Sequence, residues 1–117
     1  MAKSIRATDP RRKRLIRTLY KTKRRFWRAV SEFLQKARSS RVTVNIGKIN
    51  VFSEENDTIL VPGKVLSSGD LAHPITVAAF SYSKKAINKI TKAGGESISI
   101  EDLMKKNPTG TKIKLIT

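Results

Sequence analysis

At residue 42 the apolar side chains change their period, and this change constrains the fold more than any other feature of the chain. Before it, Leu15, Ile16, Leu19 and Tyr20 fall at i, i+1, i+4 and i+5, and Trp27, Val30, Leu34 and Ala37 continue on helical spacing. After it, Val42, Val44 and Ile46 alternate with Thr43 and Asn45 as in a strand, and Ile49 and Val51 repeat the alternation beyond Gly47. A helical part, 10–40, is thus followed by a part with a sheet, 41–117.

Residues 1–9 are polar and basic without a period and read as an extension that orders only on a partner. Thr8 and Asp9 before Pro10 make a helix start, since a side-chain acceptor meets the first free amides and proline has no N–H to waste there. The run Lys21-Thr22-Lys23-Arg24-Arg25 predicts a bend, with a second helix over 25–38; one long helix is the alternative.

In the second part, Glu54 to Asp57 forms an acidic turn facing solvent, and Thr58 to Pro62 a strand. Pro62-Gly63 predicts a tight corner with Lys64 at its tip, because proline presets one turn angle and glycine accepts the next. Gly69 predicts a second turn, and the unbroken run Ile75 to Phe80 predicts a strand covered on both faces. Ser83 caps a helix over Lys84–Ala93 with Ala86, Ile87 and Ile90 inward, and Gly94-Gly95 stops it. Ser97 to Ile100 is a strand, Ser99 and Asp102 have capping spacing, Leu103 and Met104 face in, and Thr111 to Ile116 is a last strand or tail. The fold class is α/β: a small single domain over 10–117, built of irregular layered strand and helix units with the basic N-terminal helices packed on it.

Charge follows the same boundary. Of a net +16, residues 1–41 carry +13 and residues 42–117 only +3, and every arginine lies in the first block. Lys13 with Arg17, Arg17 with Lys21, Lys21 with Arg25, and Arg24 with Arg28 are like charges four apart, together costing about 1 to 2 kcal/mol on a helix. A solvated helix would intersperse acids, and here only Glu32 is offered, so an external polyanion is the simplest counter-charge. The RNA-binding set is therefore Arg11, Arg12, Lys13, Arg14, Arg17, Lys21, Lys23, Arg24, Arg25, Arg28, Arg38 and Arg41. Lys48, Gly63 and Lys64, on expected turns, reach phosphates from the second part, with Gly63 letting the RNA backbone come close. Trp27 and Tyr20 sit in helical register and read as core; Phe26 and Tyr82 are candidates for stacking on a base, and Asn45 reads as a residue satisfied by nearby backbone.

Catalysis finds little to work with. The chain has no cysteine, and its one histidine, His73, has no partner set for zinc. A Ser-His-Asp triad would need a chance meeting, no nucleophile-elbow motif is present, and Gly63-Lys64 lacks the spacing of a P-loop. No catalytic residue, metal ligand, cofactor or small-molecule substrate is expected. No apolar run is long enough to span a membrane, so no membrane partner is expected either.

Several blocks together resemble a known family: Trp27 with Val30, Val44-Asn45-Ile46-Gly47-Lys48-Ile49, Asp57 to Leu71 centred on Val61-Pro62-Gly63-Lys64-Val65-Leu66, Ile75-Thr76-Val77-Ala78-Ala79, Ala93-Gly94-Gly95-Glu96, and Asn107-Pro108-Thr109-Gly110. They are similar to large-subunit ribosomal protein eighteen of archaea and eukaryotes, a relative of bacterial ribosomal protein fifteen. The resemblance implies a non-enzymatic, cytoplasmic constituent of the large ribosomal subunit that binds and stabilises large-subunit rRNA and adjoins other large-subunit ribosomal proteins. The competing readings are a general nucleic-acid packaging protein and a membrane-surface protein that uses its basic amphipathic helices.

Overall fold

The computed structural model describes residues 10–22, 24–35 and 42–117. The extension 1–9 with its expected caps, Lys23, and the expected end of the second helix near 38 lie outside them. The chain divides into two compact units, Met1–Arg41 and Val42–Thr117.

In the first unit the helical period becomes two helices, α1 (Pro10–Lys21) and α2 (Arg25–Leu34), packed on each other. The chain breaks between them because the Thr22 hydroxyl takes the Leu19 carbonyl at 2.8 Å and Arg24 is extended. Leu15, Ile16 and Leu19 of α1 and Trp27, Val30 and Leu34 of α2 are buried, as their spacing predicts. Trp27 is fully buried, with Phe26 edge-on at 5.0 Å. Ser31 is buried without cost, since its hydroxyl donates to the Ile16 carbonyl across the helix pair.

The second unit is a five-stranded, wholly parallel sheet: β1 (Val42–Asn45), β2 (Thr58–Leu66), β3 (Thr76–Tyr82), β4 (Glu96–Ser99) and β5 (Ile113–Leu115), in the order β1-β2-β3-β4 with β5 also on β2. One edge of β2 is shared, β5 pairing with Thr58–Leu60 and β1 with Gly63–Leu66; β3 takes the other edge. Helices α3 (Ile46–Phe52) and α4 (Lys84–Lys92) bury Ile46, Ile49, Ala86 and Ile90 against Val44, Ile59, Val61, Val65, Val77 and Ala79. Helix α5 (Ile100–Lys106) buries Ile100 and Leu103 beside β3 and β4. Ser83 and Ser99 cap α4 and α5 by accepting from the Ala86 and Asp102 amides.

Three local expectations are corrected. Pro62-Gly63 is not a corner but the middle of β2, where proline has no N–H to give the ladder and the register with β3 shifts by one residue. Gly63 is required there for another reason: a Cβ would stand 2.1 Å from the Val42 carbonyl oxygen, so its absence admits β1. Ile49 and Val51 do not extend a strand, because α3 begins at Ile46 and the i, i+3 pair Ile46 and Ile49 turns inward while Val51 stays exposed. Ile87, expected inward on α4, is likewise exposed.

Two loops are held by specific bonds. After β2, the Lys89 ammonium donates to the Ser67 and Gly69 carbonyls at 2.7 and 2.5 Å, and Asn50 accepts from the Ala72 amide. In the acidic turn Glu54 and Glu55 face solvent, but the Asp57 carboxylate accepts from Lys114 of β5 and from the Glu54 amide, each at 2.7 Å. The Lys114 bond, then the Glu54 amide, hold the Asp57 pKa below the usual carboxylate value, and the same bond raises that of Lys114. A depressed carboxylate stabilises the fold above its unfolded pKa and loses that effect as pH falls through its folded pKa; a raised lysine loses its effect as pH rises through its folded pKa. Asp57→Asn should therefore lower Tm at neutral pH and not in strong acid. Equal Tm differences at both, read by calorimetry, would remove this pair from the pH dependence.

Candidate nucleic-acid interface

The basic face is built on α1. Successive members of the column Lys13, Arg17 and Lys21 stand about 6 Å apart along a helix axis, since each residue rises about 1.5 Å. Arg17 and Lys21 are exposed and Lys13 half-buried; with Pro10, Arg14 and Thr18 they line one shallow groove. Thr18 is fixed by donating to the Arg14 carbonyl at 2.9 Å. Arg11 is exposed on the same helix.

On α2, Arg24, Arg25 and Arg28 are exposed. The N-cap residue Arg24 makes no side-chain cap bond and no acid lies in the first turn, so Arg24 and Arg25 set positive charge at the N-terminal end of this helix. The Arg28 guanidinium lies 5.1 Å from the Tyr20 ring centroid, a cation–π contact that ties the two helices and fixes the arginine. The structure thus brings Lys13, Arg14, Arg17 and Lys21 together. The break at Thr22 removes Lys21 and Arg25 from a common helix, so their expected like-charge pairing there does not arise.

Arg12 does not share this role. It is 6% exposed, and its Nη1 donates to the Leu34 carbonyl at 3.0 Å, where a cation also meets the negative end of α2. Helical spacing alone would have separated it, because Arg12 falls on the stripe of Ile16 and Leu19 at i+4 and i+7. Lys23, Arg38 and Arg41 lie outside the described residues.

In the sheet unit Lys64 is exposed, though from within β2 and not from a turn; its register neighbours Thr43 and Ser81 make a polar row across three strands. Neither neighbour carried a sequence signal. Lys48 is exposed on α3, also not on a turn, and its ammonium donates to the Thr117 carbonyl at 2.6 Å. Gly63 is buried beneath β1 and presents no backbone for an outside strand to approach. Asn45 is exposed at the end of β1. Tyr82 is withdrawn from stacking: its hydroxyl lies 2.6 and 2.8 Å from the Ile98 and Val77 carbonyls, and burial pushes its pKa above the ordinary phenol value, keeping it a donor.

His73 does meet a serine, its Nε2 lying 2.8 Å from the Ser53 hydroxyl. No carboxylate hydrogen bonds to His73 among the described residues, and Asp57, the acid nearest to it in effect, is held by Lys114. Ser53 is moreover buried, so the pair closes a loop and does not face a substrate. Among the described residues no group of three or more His, Cys, Asp or Glu is placed to hold a metal, and no helix is long and apolar enough to cross a membrane.

Comparison with known proteins gives this basic surface a family. Residues 3–117 match the family model described as ribosomal protein 60S L18 and 50S L18e. The chain is similar to the large ribosomal subunit protein eL18 of Methanospirillum hungatei, at 42% identity covering 93% of each chain. It is 40% identical to that of Methanosphaerula palustris and 41% to that of Methanothermobacter thermautotrophicus, covering 99% of both chains in each case. With a family match over nearly its whole length and relatives at this level of identity, the chain belongs to the ribosomal proteins 60S L18 and 50S L18e.

Proposed function

We propose that the protein binds and stabilises folded rRNA within the large subunit of the cytoplasmic ribosome, in contact with other ribosomal proteins. The family's role is structural and not enzymatic, so the contribution to translation is a held shape and not a turnover. The single observation that carries the RNA reading is the groove of α1, where Lys13, Arg14, Arg17 and Lys21 converge with no acid on that helix. Successive ammonium and guanidinium groups along one helix track the phosphates of one strand, neutralising them without reading base sequence. Arginine's planar fork adds bidentate phosphate bonds, and the sheet unit adds exposed Lys64 between Thr43 and Ser81. Selectivity then comes from the shape of the RNA, through phosphate and 2'-hydroxyl contacts, since the deep major groove of an RNA helix is closed to side chains. The extension 1–9 and the whole of 10–117 act as one rRNA-binding chain.

The test is a salt titration of binding to large-subunit rRNA beside an unrelated RNA of equal length. Both affinities should fall steeply, by roughly 0.7 to 0.9 in log-log slope for each phosphate contact. Large-subunit rRNA should keep its advantage at high salt. Coincident curves throughout would leave charge as the only determinant and favour a packaging role.

A further inference from the structure

Helix α3 buries Ile46 and Ile49 and therefore turns Val51 and Phe52 outward, 73% and 59% exposed. With Ile87 they are the large hydrophobic side chains left exposed among the described residues. Phe52 is not isolated: it borders a groove floored by Leu115 and Ile116, with Lys48, Lys114 and Thr117 completing the lining. An apolar groove of this kind beside an exposed aromatic is the form a docking surface takes.

Its charge is unlike the rest of the molecule. Of the two cations of the groove, Lys114 is paired with Asp57, and Lys48 donates to the Thr117 carbonyl and keeps its charge. Glu54 and Glu55 follow Phe52 almost directly and are exposed, and Glu54 stands near enough to Lys114 to act on its charge. In a chain of net +16, Asp57 and Lys114 cancel here and leave Glu54 and Glu55 against Lys48 alone, so this rim is net negative. RNA phosphates meet a net negative rim here, the reverse of the field they meet on α1. A partner carrying an apolar side chain between positive ones finds both an anchor and a complementary rim.

We propose that Val51, Phe52 and this groove receive an extended basic segment of a neighbouring large-subunit protein. An apolar side chain seats over Phe52 and Leu115, and flanking lysines or arginines face Glu54 and Glu55. The proposal rests on residence of the chain in the large subunit. The test is photocrosslinking in assembled subunits that carry Phe52→p-benzoylphenylalanine, with and without Glu54→Lys and Glu55→Lys. The expected product joins position 52 to a lysine- and arginine-rich segment of another ribosomal protein. Charge reversal should lower its yield about tenfold, because attraction at the rim becomes repulsion. A crosslink to rRNA, no crosslink, or a yield indifferent to the reversal overturns the docking proposal while the chain still cosediments with subunits. Absence of the wild-type chain from subunits overturns the functional reading and this one with it.

Discussion

Replacing Arg14, Arg17, Lys21 and Arg25 together by glutamine should weaken binding to large-subunit rRNA about 100-fold or more and reduce the log-log salt slope by about 3. The slope is the sharper observable, because it counts counterions and so counts phosphate contacts. All four side chains are exposed, so circular dichroism and Tm should hardly change; removing like charges that repel along α1 could only help the helix. Arg12 supplies the contrast from the same turn of helix. Arg12→Leu removes a positive charge too, but one spent inside on the Leu34 carbonyl. It should lower stability by about 1 to 3 kcal/mol, the cost of a buried acceptor left unpaired, and leave the salt slope where it was. An unchanged slope in the fourfold variant would remove the α1 groove from the interface.

Gly63→Ala should destabilise the sheet unit by about 3 kcal/mol or more, the upper range for overpacking a core. The added Cβ would stand 2.1 Å from the Val42 oxygen and 2.8 Å from its carbon. Both are backbone atoms, so no rotamer change relieves the clash; β1 must leave β2 or the strand must distort. Chemical denaturation measures the loss, and amide exchange should place it first at Val42–Asn45. A change below about 1 kcal/mol, the ordinary effect of a tolerated substitution, would show that the strands reseat freely.

Much of this architecture is legible in the residues, and the misreadings share a physical cause. Ser83 and Ser99 announced their helices because a cap is local chemistry, readable from a few neighbouring residues. Leu15, Ile16 and Leu19 announced a buried face because period is local too. Pro62-Gly63 misled because a turn and a bulged central strand ask for the same residues: one without an N–H, one without a side chain. Only the approach of Val42, distant in sequence, distinguishes them. The Ile46 to Phe52 segment misled because apolar residues at 46, 49 and 51 fit an interrupted alternation as well as a short helix. In the basic face, residue type identified the charges, but type cannot tell an arginine turned inward from one turned outward. Arg12 and Arg14 differ by the direction of a helix face, and that direction is set by α2.

The wholly parallel sheet bears on how the chain reaches its native state. Parallel neighbours cannot be joined by a tight hairpin, so each pair waits for a crossover to be traversed. The pairing of β5 with Thr58–Leu60 spans more than half of the sheet unit's sequence, and its loop must close before any bond rewards it. The two N-terminal helices meet across Thr22 to Arg24 and close almost at once. The part that carries the charge is therefore kinetically local, whereas the part that holds the shape must be gathered from distant pieces.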